Sequence, residues 1–148
     1  MIDRTIYPMP MFATFQVSDV RAAEAFYQAV GFVSLAAVPG PDGSPAVVHL
    51  RRMKYQDLLI VPGRPERGST SVSFSAPDED LAALADRLRG FDGVRVSGPE
   101  DTRWFTSDLT IDDADGNRVV LTAPRTAELG HAKEWARENI TGDFIVES

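Results

Sequence analysis

The chain has 148 residues, 43% of them hydrophobic and 25% charged, the balance of an ordinary soluble domain able to bury one core. A formal net charge of −7 disfavours nucleic acid and anionic membranes as partners and leaves neutral or cationic small molecules compatible. The cysteine count is 0, which removes disulfides and thiolate metal ligands and agrees with a cytoplasmic location. No apolar run reaches membrane-spanning length, and the opening residues do not read as a signal peptide.

In chain order, Met11 to Val17 alternates as a strand, with Phe15 and Val17 on one face and Thr14 and Gln16 on the other. Ser18-Asp19 signals a helix start, Arg21 to Val30 continues it, and Gly31 stops it. Phe32 to Val38 reads as a strand and Pro39 to Pro45 as a loop. Ala46 to Arg52 and Gln56 to Val61 form a predicted hairpin. If Met53 pairs with Gln56, then His49 and Arg51 share a face with Leu58 and Ile60, while Val48 and Leu50 join Leu59 and Val61 against a helix.

After a polar linker, Arg64 to Gly68, the pattern begins again. Ser71 to Ala76 is a predicted strand, with Val72, Phe74 and Ala76 opposite Ser71, Ser73 and Ser75. Pro77 marks a helix entry, and Asp78 to Arg89 carries a leucine stripe at 81, 84 and 88. Val94 to Val96, Trp104 to Asp112 and Arg118 to Ala123 are the following strands, with the turn Asp113 to Asn117 before the last. Beyond Pro124, Glu128 to Asn139 reads as an extra helix and Phe144 to Val146 as an extra strand. Phe15, Asp19, Gly31 and Phe32 recur as Phe74, Asp78, Gly90 and Phe91, always 59 positions later. The chain is therefore two copies of one β-α-β-β-β unit, neither able to bury its apolar face alone.

Two such units, with the segments FQVSDVRAAEAFYQAVGF (15–32) and DADGNRVVL (113–121), resemble the vicinal oxygen chelate superfamily of glyoxalases, extradiol dioxygenases, fosfomycin-modifying enzymes and bleomycin-resistance proteins. The resemblance implies a single α+β domain. Module one spans about 10–62, module two about 69–124, and a C-terminal extension covers 125–148. The mixed sheets would curl into a cup with helices outside. Metal-dependent members place one ligand seven residues before the loop acid of each module and another on each module's last strand. Here those rules land on Phe12 and Ser71, and on Leu58 and Val120 when Pro62 is aligned with Pro124. None is a competent ligand for a divalent cation, so no metal and no cofactor is expected. Shifting the register by one residue would bring in Asp57, but on the expected pairing it would face the helix layer.

The expected wall of the cup is Phe12, Thr14, Gln16, His49, Arg51, Leu58, Ser71, Ser73, Trp104, Thr106, Asp108 and Val120. Small hydroxyl residues leave room and offer hydrogen bonds, and Phe12 and Trp104 can stack on a planar ligand. Asp108 is expected to pair with Arg51 or Arg118. This resembles the bleomycin-resistance branch, which lost the metal and sequesters antibiotics in clefts shared by two subunits. It implies a homodimer and a metal-free protein that binds a bulky, partly aromatic antibiotic. The alternatives are a metal-independent lyase or isomerase using His49 with Asp108 or Arg51, and a sensor or structural homodimer with a vestigial cup.

Overall fold

The computed structural model describes residues 1–7, 9, 11–68 and 70–142. Module one comprises β1 (Ala13–Val17), α1 (Val20–Val30), β2 (Val33–Pro39), β3 (Pro45–Arg51) and β4 (Asp57–Pro62). Module two repeats it as β5 (Ser71–Ser75), α2 (Leu81–Leu88), β6 (Arg95–Asp101), β7 (Thr106–Asp112) and β8 (Arg118–Pro124). A short 3-10 turn (Thr126–Glu128) then leads into α3 (Leu129–Asn139). The strand predicted over Phe144 to Val146 lies outside the described residues.

Asp19 caps α1 as expected, accepting the Ala22 N–H at 3.0 Å. Gly31 closes it at φ 118, its N–H bonded to the Tyr27 and Gln28 carbonyls. In the second copy the equivalent Asp78 sits at φ 61, so the chain is still turning there. The cap passes to Asp80, which accepts the Ala83 N–H at 3.0 Å, and α2 starts at Leu81 instead of Asp78.

The strands form two four-stranded sheets, ordered β1-β4-β3-β2 and β5-β8-β7-β6. β1 runs parallel to β4 and β5 parallel to β8, and the other neighbours are antiparallel. One face of each sheet is packed under its helix. Phe15, Val17, Val48, Leu50, Leu58 and Ile60 fill the first, and Phe74, Leu109, Ile111, Val119 and Leu121 the second. The modules meet through these layers, α1 against α2, with Phe32 edge-on to Phe74 at 5.5 Å and Phe26 to Phe91 at 5.2 Å. The two sheets are not joined, and each presents its own open face.

The β3–β4 register differs from the predicted one. The turn is closed by Arg52 N–H to the Gln56 carbonyl at 3.0 Å, with Tyr55 at φ 62. It therefore holds one residue more than a Met53:Gln56 pairing allows. The ladder is Leu50 to Leu58 and Arg51 to Asp57. Because side chains alternate, this single slip exchanges the faces of β4. Leu58 is a core residue with 0% exposure, not part of a cup wall, and Asp57 shares the open face with Arg51 and His49. Trp104 is also displaced. The predicted strand there begins only at Thr106, because Thr102 and Thr106 close a tight turn (N–H to carbonyl, 2.8 Å) that leaves Trp104 at its tip, 53% exposed.

Candidate functional site

The open face of module one is built around Arg51. Its Nε and Nη2 donate to the two oxygens of Asp57 at 2.7 and 2.8 Å. Its Nη1 donates to the carbonyls of Asp3 (2.9 Å) and Thr5 (2.7 Å). Tyr7 stacks on the guanidinium with 3.9 Å from ring centroid to Cζ, and the Tyr7 hydroxyl accepts the Tyr55 N–H at 2.9 Å. The segment 3–7 is thereby strapped across this part of the sheet, and Arg51 is 0% exposed. Asp57 Oδ2 also lies 2.7 Å from His49 Nε2. Burial alone would push the Asp57 carboxyl up; the hydrogen bonds from Arg51 and His49 outweigh it and hold the group below the usual carboxylate range. Toward the β1 edge, Phe12 is 45% exposed and meets the His49 ring edge-on at 5.5 Å.

The open face of module two carries hydroxyls around one carboxylate. Ser71, Ser73 and Ser75 are exposed along β5. Asp108 Oδ1 accepts the Thr122 hydroxyl at 2.6 Å and the Thr106 hydroxyl at 2.9 Å. Among the described residues it pairs with no cation, so the expected ion pair with Arg51 or Arg118 does not form. Arg51 belongs to Asp57, and Arg118 holds Asp112 through two bonds of 2.8 and 3.1 Å. The Arg118 bonds set the Asp112 carboxyl below its ordinary value. Arg51:Asp57 and Asp112:Arg118 occupy equivalent cross-strand positions with the charges exchanged.

Among solved structures, the fold and the sequence both match the antibiotic-binding protein TnmS3 of Streptomyces sp. CB03234. Identity is 30%, covering 80% of this chain and 97% of that one, at a TM-score of 0.59. A glyoxalase/bleomycin resistance protein from the same organism is 31% identical over 74% of this chain and 96% of its own length, at a TM-score of 0.55. This chain belongs to the vicinal oxygen chelate superfamily. More distant likenesses show the fold alone, among them the fosfomycin resistance protein FosX of Listeria monocytogenes (16% identity, 83% of this chain and 98% of that one, TM-score 0.62). No family model and no curated protein sequence matches the chain.

The superfamily's metal-dependent members raise the question of a cation here. The parallel ladders pair Thr14 with Leu59 and Ser73 with Val120, so the counterpart of Val120 is Leu59, not Leu58. Phe12, Leu59, Ser71 and Val120 offer one hydroxyl between them, which does not fit a divalent cation. Among the described residues no three His, Asp or Glu side chains cluster at metal-binding distances.

The structure thus brings Phe12, His49 and Arg51 together on one sheet. It groups Thr106, Asp108 and Thr122 on the other, with Val120 on the same strand as Thr122 and Ser71 and Ser73 on the adjoining β5. Thr14 and Gln16 are exposed and line an open hollow of about 480 Å³ with Arg64, Pro65, Glu66 and Thr70. Tyr7 was not singled out from sequence, and Asp57 entered there only as the residue a one-residue register shift would bring in; the structure has that shift and places Asp57 on the open face. The signal for Asp57 was present: Arg51 and Asp57 are six residues apart, as are Asp112 and Arg118, with the same hairpin between them.

Proposed function

We propose that this protein sequesters a bulky, partly aromatic antibiotic or related natural product in the cytoplasm, without a metal ion, in clefts completed by a second copy of the chain. The observation that carries the reading is the 30% identity to an antibiotic-binding protein across 97% of that protein's length. The open faces support it. One offers an exposed aromatic beside an imidazole, Phe12 and His49, and the other offers hydroxyls around the Asp108 carboxylate. Such a wall shields a polycyclic ligand and orients it with few hydrogen bonds. Met11, Phe12 and Val38 are large exposed apolar side chains on or next to the first sheet, and a second copy would cover them.

The test is calorimetric titration with a panel of aromatic antibiotics, with chemical analysis of the recovered compound, elemental analysis of the protein and light scattering for its mass. Saturable binding, unchanged compound, no stoichiometric metal and a dimeric mass are expected. Loss of the Phe12 contact in Phe12→Ala should weaken binding about two- to tenfold, the range of one aromatic stacking contact. Conversion of the compound, or bound stoichiometric metal, would overturn the reading.

One observation favours a second reading, a metal-independent lyase or isomerase. Asp57 holds His49 Nε2 at 2.7 Å, the arrangement in which a carboxylate orients an imidazole base. The partner is Asp57, itself held by Arg51. Asp108 hydrogen-bonds only Thr106 and Thr122 among the described residues. Under this reading His49→Gln abolishes turnover; under sequestration there is no turnover to lose.

A further inference from the structure

Away from both open faces, at the junction of the two modules, lies a partly enclosed cavity of about 200 Å³. Its walls are apolar: Ala22, Ala23 and Phe26 of α1, with Phe91 and Val94 from the segment between α2 and β6. Its rim is acidic, formed by Asp19, Asp92 and Asp115, the buried Asp113 also belongs to the lining, and no Lys or Arg lines it. Three of these acids accept hydrogen bonds within the fold. Asp113 accepts from the Tyr27 hydroxyl and from the N–H groups of Asp115 and Asn117. Asp19 caps α1 through Oδ1. Asp115 accepts the Ser18 N–H through Oδ1 only. Asp92 has no hydrogen-bond partner among the described residues and is exposed.

The repeat supplies the comparison that assigns an occupant. The pseudo-equivalent hollow at the other end of the junction is lined by Gly31, Arg52, Met53, Lys54 and Glu79. Arg52 and Lys54 stand where module two has Asp113 and Asp115, so the turn's charge is reversed. The chain's own Met1, Ile2 and Asp3 line that hollow, apolar side chains followed by an acid, and Arg52 there is paired with Glu79. No described segment of the chain does the same at the acidic hollow.

We propose that the acidic cavity is a binding site for a small organic cation, an ammonium carried on a single aromatic ring or a branched alkyl group of similar size. The apolar walls take the ring, and the free oxygens of Asp92, Asp115 and Asp19 take the ammonium. The size fits, since an apolar cavity of ~150 Å³ in another protein admits benzene. The cation selects itself by charge: an anion of the same shape would meet the carboxylates of Asp19, Asp92 and Asp115, while the neighbouring Arg67, which donates to the Ala114 carbonyl at 2.8 Å, does not line the cavity.

The experiment uses the full chain and benzylammonium as probe, followed by amide NMR shifts and by the melting temperature, at low salt and neutral pH. Saturable shifts confined to the amides around Ala22, Phe91 and Ala114 are expected. Benzyl alcohol should bind more weakly and benzoate not at all. Ala22→Phe, at an exposed helix position lining the cavity, should abolish the shifts. Asp92→Asn removes a charge that holds nothing in the fold and should weaken binding about two- to fivefold, the range of an exposed ion pair. Phe12→Ala, on the open face of module one, should leave benzylammonium binding unchanged, which separates this site from the proposed antibiotic cleft. Benzoate binding as well as benzylammonium, shifts that persist in Ala22→Phe, or no saturable response from any probe would overturn the proposal.

Discussion

Replacing Asp57 with alanine tests the central feature of module one. Arg51 has 0% exposure, and two of its three nitrogens bond Asp57 alone. Removing the carboxylate strands a guanidinium where water does not reach, and breaking a buried pair in this way costs about 3–5 kcal/mol. The equivalent change in module two, Asp112→Ala, removes the same kind of cross-strand partner. There Arg118 is 49% exposed and water replaces the lost bonds, so the expected cost is about 0–1 kcal/mol. In a chain of 148 residues each kcal/mol moves the melting temperature by roughly 2–4 °C, which puts Asp57→Ala about 6–20 °C below the parent. Asp112→Ala should fall within about 4 °C. The double variant Arg51→Met with Asp57→Leu should recover most of the loss, because an apolar pair of similar volume removes the stranded charge, and the Asp3 and Thr5 carbonyls it frees belong to exposed residues that water can satisfy. Thermal and urea melts followed by circular dichroism measure all three. Equal losses from Asp57→Ala and Asp112→Ala would refute the argument, since it rests entirely on their difference in burial.

Three further outcomes rest on Asp57 and on the Tyr27–Asp113 bond. The Asp57 carboxyl titrates below its unfolded value, near 3.9, so its contribution to stability is fully present above about pH 4 and is lost as pH falls through the lower folded value. The stability gap between the parent and Asp57→Asn should therefore narrow from pH 6 to pH 3 in urea melts, and a gap that stays constant would show that the shift is not there. Tyr27→Phe should cost about 1.5–3 kcal/mol, the worth of a hydrogen bond to a charged group. It removes a 2.6 Å buried donor from Asp113 and with it a tie between the modules. Burial and the Asp113 charge push the Tyr27 phenol well above its usual value, so an ultraviolet titration should show one tyrosine fewer ionising near pH 10 in the folded protein.

Local chemistry made much of the fold legible. Asp19 and Gly31 bracket α1 because a side-chain acceptor and a left-handed residue are what helix ends require. The faces of module two follow from strict alternation between Leu109 and Ile111 on one side and Asp108 and Thr110 on the other. What was not legible depended on turn length or on distant partners. One extra residue in the Arg52–Gln56 turn, absorbed at Tyr55, turned Leu58 inward and Asp57 outward, and no periodicity in β4 distinguishes the two because Leu58, Leu59, Ile60 and Val61 are all apolar. The strap over 3–7 has no repeat pattern. Its position is fixed by Arg51, 46 and 48 residues further along the chain. The turn that lifts Trp104 off β7 is held by Thr102 and Thr106, whose role appears only once they close it.

The repeat also explains why the two halves are not interchangeable. Their sheets share one strand order and pairing, and even the turn amides act alike: Gln56 Nε2 donates to the Ser75 carbonyl and Asn117 Nδ2 to the Gln16 carbonyl, both at 2.9 Å. These reciprocal bonds tie each hairpin turn to the end of the other module's first strand and hold the open faces at a fixed relation. Charge is what distinguishes the copies. Arg51:Asp57 is reversed as Asp112:Arg118, and Arg52 and Lys54 are answered by Asp113 and Asp115. In the proposed dimer, a cleft walled by module one of one copy and module two of the other would be aromatic on one side and hydroxyl-rich around Asp108 on the other. A ligand there could bind in only one orientation, because turning it over would bury its polar groups against Phe12 and leave Asp108 without a partner.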